Sequence, residues 1–261
     1  MSASRMFLSM RVTVELSRNS DDLSTGKLRT PIKGLPVPGS DYVIAMRFSS
    51  EGLGRRSDVE LLLNSDNGAA LQRVSDDSGS KQRRRIYRFT DIGAYRWTWK
   101  PVSGEEDLDP EAWSGQEAKL RPFSTSAPHR PVTEAGGLIY LVAASQLENP
   151  GDHFETTAFS SSSDEIQRVR VEVISMENSR VNYKEVTAAG KVRQKNRIDL
   201  IRIRILGVAA DPLDEENFEL LGMHQVELLI DPGTRAPVEL SGKVPFFGRV
   251  TFKLDELTPA P

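Results

Sequence analysis

The chain has 261 residues, no cysteine, and 34 basic residues against 37 acidic ones, for a formal charge of −3. Disulfides and thiolate zinc sites are therefore excluded, and so even a charge balance exerts no general pull on nucleic acid. The length lies within the reach of one all-β domain and can bury a sizeable core, while no stretch approaches the roughly eighteen apolar residues of a membrane-spanning helix.

Met1–Met10 holds no apolar core of signal-peptide length. The expected location is the periplasm if a signal sequence is missing from this chain, and otherwise the cytoplasm. Residues 11–16 alternate apolar and polar and predict a first strand. Residues 17–40 predict a long loop punctuated by Pro31, Pro36, Pro38 and Gly39. Strands are predicted at 42–48 and 59–63 around a turn at 51–54, then at 70–74, 85–89 and 94–99. Prolines, glycines and an acidic run make 101–132 a second long surface crossing.

A helix is predicted over 134–147, with Thr133 capping its start and Asn149-Pro150-Gly151 stopping it. Leu138–Ala144 carries no charge, so more than one side of it should be covered. Gly136 and Gly137 weaken such a helix by about 1 kcal/mol each, so packing must hold it. Strands follow at 154–159 and 166–174, then a hairpin from 180–186 into 191–206. At roughly 3.3 Å per residue that last strand would span about 50 Å, so it should be bent or broken. The end of the chain predicts a meander of strands at 198–206, 223–230, 236–240 and 247–254. Asp231-Pro232-Gly233 makes one of its turns, where Gly233 is expected to supply a φ that other residues resist. Val59-Glu60-Leu61-Leu62-Leu63 echoes Val226-Glu227-Leu228-Leu229-Ile230, as either a duplication or shared hairpin chemistry. The expected fold is one all-β domain over 1–261. It is a strongly curved antiparallel sheet, an incomplete barrel of ten or more strands, with one helix against its concave face.

Chemical motifs are sparse. His129, His153 and His224 lie far apart in sequence, and no phosphate-binding, dinucleotide or nucleophile-elbow fingerprint occurs. Asp107, Asp109 and Glu111 begin like a calcium loop, but Ala112 and Ala118 stand where that loop needs glycine and glutamate. No catalytic residue, metal site or cofactor is assigned. Arg55, Arg56, Arg73, Lys81, Arg83, Arg84, Arg85 and Arg88 form the most basic region. They are either a stripe for a phosphate or anionic headgroup, or the water face of an antiparallel sheet. Tyr95, Trp97 and Trp99 alternate onto one face, with Tyr87 and Phe89 on the preceding strand. They are either core under the helix or, with Leu138 and Leu141, the wall of an apolar ligand cavity. Trp113 lies apart from them in the loop.

Arg85-Ile-Tyr-Arg-Phe89, the Trp113 segment, Gly137-Leu-Ile-Tyr-Leu-Val142 and Asn149-Pro-Gly-Asp152 follow a recurring order. It closes with Asp231, Arg235, Pro237 and Val238, then Gly248, Val250 and Leu254. This order resembles the bacterial family of unknown function known as DUF3108, over about residues 40–257. The resemblance implies an exported protein with a half-barrel sheet like that of bacterial lipoprotein carriers, an analogy of fold that does not carry function. It supplies no catalytic residues. The expected function is non-catalytic binding of an apolar or lipid-like ligand in the bacterial envelope. The alternative is a protein–protein interaction scaffold with no small-molecule site. An enzyme using carboxylates such as Asp199 or Glu227 ranks third.

Overall fold

The computed structural model of the protein describes residues 9–18, 42–52, 54–123, 131–187, 189–208 and 218–258. Period-two alternation is realised almost throughout as antiparallel strand, and the chain adopts the expected all-β architecture, with one α-helix among the described residues. It forms two compact units, one reaching residue 126 and taking in 131–137, the other holding residues 138–261.

The first unit is a meander in which each strand pairs with its chain neighbours. These are β1 (Ser9–Arg18), β2 (Tyr42–Gly52), β3 (Arg55–Asn64), β4 (Ala70–Gly79), β5 (Arg83–Phe89), β6 (Gly93–Lys100) and β7 (Gly115–Pro122). Its end strands do not pair with each other, so this sheet is open. The crossing expected over 101–132 is not all loop: it holds a 3-10 turn at Pro110–Ala112, β7, and the short strand β8 (Val132–Glu134). The alternation signal is missing from β7 because nearly all its side chains are exposed, leaving no buried face to mark a period.

The helix is shorter than expected. Thr133 and Glu134 are extended in β8, Ala135–Gly137 make a 3-10 turn, and only Leu138–Ala144 is α-helical (α1). Thr133 therefore does not cap it. Gly136 and Gly137 are there for close approach. A Cβ on Gly136 would lie 3.1 Å from the Phe48 ring, and one on Gly137 2.6 Å from Thr133 Oγ1 and 3.2 Å from Leu63.

The second unit contains β9 (His153–Ser160), β10 (Glu165–Arg180), β11 (Tyr183–Thr187), β12 (Gly190–Gln194), β13 (Arg197–Gly207), β14 (His224–Ile230), β15 (Pro237–Val244), β16 (Gly248–Lys253) and β17 (Glu256–Leu257). The order β16-β15-β14-β13-β10-β9 runs across its main sheet, and β12-β11-β17 forms a small one. The strand expected over 191–206 is broken between β12 and β13, as its length demanded. Ile201, Ile203 and Ile205 are buried against Leu228 and Val226 of β14. The intervening arginines lace the opposite face, Arg204 to Glu172 and Arg202 to Glu177 and Glu227. No helix among the described residues is long and apolar enough to cross a membrane.

The echo between the two hairpins extends to their geometry. In β3–β4 the register shifts at Leu62/Leu63, which pair with Gln72 and Ala70; in β14–β15 it shifts at Leu229/Ile230, which pair with Glu239 and Pro237. The turns match bond for bond. Asn64 N donates to Ala69 O (2.8 Å) and Gly68 N to Asn64 O (2.8 Å); Asp231 N donates to Ala236 O (3.0 Å) and Arg235 N to Asp231 O (2.8 Å). The left-handed residue is Gly68 (φ 68°) in one and Arg235 (φ 59°) in the other. Gly233 is thus not the residue with the special φ; its N–H donates to Asp231 Oδ1 at 2.8 Å.

Arg235 occupies a position suited to glycine because its side chain has work to do at the end of α1. Its guanidinium donates to the carbonyls of Ser145 (2.7 Å), Leu147 (3.2 Å), Val142 (3.3 Å) and Ala143 (3.3 Å). These carbonyls lie in and just after the last turn of α1, where intrahelical donors run out; Val142 O also accepts from Ser145 Oγ at 2.7 Å. Arg235→Ala should cost about 1.5–3 kcal/mol for the lost charged hydrogen bonds. Arg235→Gly should cost less, because it also relieves about 1–2 kcal/mol of left-handed strain. Equilibrium unfolding of the pair checks both values; equal losses would mean the backbone there is unstrained. On α1, Leu138 is fully buried and Leu141 only half-buried. Leu138→Ala should cost about 2–5 kcal/mol and Leu141→Ala clearly less, by the same measurement.

Candidate functional site

The sites expected from the sequence fall mainly on the first sheet, where register decides which side chains share a face. In an antiparallel pair, directly opposed residues point the same way. One face carries three rows across β4–β7: Gln72, Arg88, Tyr95, Leu120; Val74, Ile86, Trp97, Ala118; and Asp76, Arg84, Trp99, Gln116. The other carries Arg73, Tyr87, Arg96, Lys119 and Ser75, Arg85, Thr98, Glu117, with Asp77 and Arg83 beyond.

Tyr95, Trp97 and Trp99 do share a face, and the Tyr95 and Trp97 ring centroids are 4.8 Å apart at a tilt of 54°. All three are half-buried, beside the fully buried Ile86 and the exposed Leu120. Tyr87 and Phe89 are on the opposite face, because they pair with Arg96 and Ala94. Leu138 and Leu141 belong to the second unit, one buried and the other half-buried. Trp113 is buried, and its indole N–H donates to Glu105 O at 2.9 Å, so it is a fixed part of its loop.

The basic region divides by face. Arg84 pairs with Asp76 (2.6 Å) on the aromatic side and Arg56 with Asp58 (2.7 Å) near the strand ends. Arg88 is buried, and donates to Leu71 O at 2.6 Å. On the opposite face Arg73 is also buried, 3.3 Å from Glu134 Oε1, with the Tyr87 ring centroid 5.8 Å away. Arg83 meets Asp77 at 2.7 Å and Arg85 meets it at 3.5 Å. Of the eight basic residues, Arg73 and Arg88 are buried, while Arg55, Arg56 and Lys81 are exposed to water. For Arg73 the sequence could not reveal this, since its partner Glu134 lies some sixty positions away.

The remaining candidates scatter. His129 lies outside the described residues, His153 is exposed with Nδ1 against Gly151 O (3.0 Å), and His224 is on β14. Asp199 accepts from Asn178 (2.8 Å), and Glu227 is held by Arg202 (2.7 Å) and Arg249 (2.8 Å) on another part of the second sheet. Asp109 caps the 3-10 turn by accepting from Glu111 N. Among the described residues no cluster of histidines and carboxylates could hold a metal ion.

Burial acts on the Asp77 carboxyl by raising its pKa, but hydrogen bonds from Arg83 and Ser57 outweigh it and hold the group below its ordinary value. A depressed folded pKa stabilises the protein above the ordinary carboxylate range, and that contribution is lost as pH falls through the folded value. Asp77→Asn should therefore flatten the acid side of the stability profile while lowering stability at neutral pH. Unfolding measured from neutral pH down to acid checks it, and an unchanged acid limb would remove Asp77 from the linkage. Compared with known proteins, the chain matches no family model, no curated protein and no solved structure.

Proposed function

We propose that the protein is a non-catalytic binding protein of the bacterial envelope that takes an apolar or lipid-like ligand along the aromatic face of the first sheet. The observation that carries this reading is the half-exposed set of Tyr95, Trp97 and Trp99 on one face. Rings of this size are costly to leave in water and normally dominate cores. Here they stand beside the exposed Leu120, and the row Val74, Ile86, Trp97, Ala118 makes an apolar track across four strands. At about 4.8 Å per strand the track is roughly 14 Å long. Gln72 and Arg88 border it on one side, and Asp76 and Arg84 on the other. A mostly apolar surface with a few polar groups is what such ligands require. The envelope assignment is supported by the resemblance to DUF3108.

The scaffold reading is favoured by one feature, the exposed strand β7, which pairs with β6 alone among the described residues. Its Glu117, Lys119 and Pro122 are residues that discourage the addition of a further strand. The apolar-ligand reading is therefore preferred.

Titration with a medium-chain fatty acid, followed by tryptophan emission, should give a saturable blue shift or quench. Buried Trp113 contributes a constant background. Trp97→Ala should weaken binding more than it weakens folding, with a stability loss below the 3–5 kcal/mol of a fully buried ring. A flat titration together with a loss of that full size would overturn the proposal.

A further inference from the structure

The opposite face of the same sheet carries an inference independent of the apolar-ligand reading. Arg73 is 8% exposed, Ser75 0% and Thr98 5%. Polar groups buried this far normally have hydrogen-bond partners, and buried charges normally have matched counter-charges. Here they do not. Nη1 of Arg73, Nε of Arg85, Oγ of Ser75 and Oγ1 of Thr98 are all buried without a hydrogen-bond partner in the protein, while Arg73 Nε has Glu134 Oε1 at 3.3 Å. Ser75, Arg85 and Thr98 form one cross-strand row, and Arg73 is in the next row on the same face.

What is missing can be specified chemically. The guanidinium groups only donate, and both hydroxyls can donate. Among the close pairs, three arginines (Arg73, Arg83, Arg85) face two carboxylates (Glu134, Asp77), leaving one positive charge in excess. Asp77 is already bonded to Arg83 and Ser57, so it has little left for Arg85 at 3.5 Å. Water would satisfy the hydroxyls and leave that charge unmatched. An anion with several acceptor oxygens satisfies both demands, and arginine forks suit that geometry better than lysine.

We propose that Arg73, Ser75, Arg85 and Thr98 form a binding site for a tetrahedral oxyanion, either inorganic phosphate or a phosphate-bearing headgroup. Strand spacing sets Ser75 and Thr98 roughly 10 Å apart across Arg85. That is too far for the hydroxyls to bond each other, but it brackets an anion seated on the guanidinium. The site has a way in: the Arg85 side chain is 17% exposed and that of Arg83 37%. Burial, with Arg83 and Arg73 close by, pushes the Arg85 pKa down, so an anion there would relieve a strained cation.

The test uses the full chain. Thermal unfolding and calorimetric titration are run with inorganic phosphate, against chloride at matched ionic strength. Saturable binding and a rise in melting temperature with phosphate are expected, since a ligand of the folded state raises stability with the logarithm of its concentration. A soluble short-chain phosphatidate forms the second arm. Tighter binding than phosphate identifies a headgroup, and equal or weaker binding identifies free phosphate. Thr98→Val keeps the shape and removes a hydroxyl. The variant should be at least as stable without ligand, and should bind phosphate about tenfold more weakly, as loss of one charge-assisted hydrogen bond implies. Arg85→Gln should abolish the response; if it does not fold, Thr98→Val decides. No saturable phosphate response in the unmodified protein, or an unchanged affinity in Thr98→Val, would overturn the proposal.

Discussion

A single buried carboxylate organises the chemistry of the first unit. Glu134 presents one oxygen to Arg73 at 3.3 Å and accepts from Gly136 N with the other at 2.7 Å. Both it and Arg73 are almost wholly out of water. Such a pair is weak evidence for net stability, because desolvation costs about as much as attraction returns. It is strong on position, because neither partner can leave the other without exposing a bare buried charge. It ties residues 132–137 to the middle of the sheet, with Gly136 and Gly137 permitting the close approach to Phe48 and Leu63. Under that tie Arg73 becomes an interior group, and on the same face Ser75 and Thr98 are buried as well.

The second unit solves a related problem with the opposite charge. The end of α1 leaves carbonyls that need donors, and Arg235 supplies them from a turn ninety residues away in sequence. Arg235 makes these bonds from the left-handed conformation that Gly68 takes in the matching turn of the first unit. An unusual φ at a charged residue is explained here by a specific set of hydrogen bonds. The Asp231, Arg235, Pro237 and Val238 pattern then has a physical content: a turn-closing carboxylate, a helix clamp, the strand's first residue, and a buried bulge residue.

Much of the strand content was legible because Ile201, Ile203, Ile205 and their arginine neighbours alternate cleanly, and burial follows that alternation. Strand β7 was not legible, because an edge strand exposed on both faces has no reason to alternate. The helix was overextended because Gly136 and Gly137 were weighed as weak helix formers rather than as points where backbone meets a packed ring. At the candidate site, Tyr95, Trp97 and Trp99 were placed on one face by period two alone. Parity within a strand does not reveal register between strands, so it leaves open which face Tyr87 and Phe89 share. Only the pairing of Tyr87 with Arg96 assigns them to the other side.

That assignment changes what the first sheet is. Sheets of this kind commonly set an apolar face against a polar, hydrated one. Across β4–β6 both faces are mixed. Tyr95, Trp97 and Trp99 are left half in water beside the buried Arg88, while on the other side Arg73, Ser75 and Thr98 are enclosed beside the buried rings of Tyr87 and Phe89. Burial of Tyr87 and Phe89 favours the enclosed side, but every polar group moved out of water with them needs a partner to offset its desolvation. The half-exposed rings cannot be explained by solvation. The proposed apolar ligand on one face and the proposed oxyanion on the other would offset these two costs separately. The two demands are chemically opposite, a hydrocarbon for one and an oxyanion for the other, so a single small group cannot meet both from one side of the sheet.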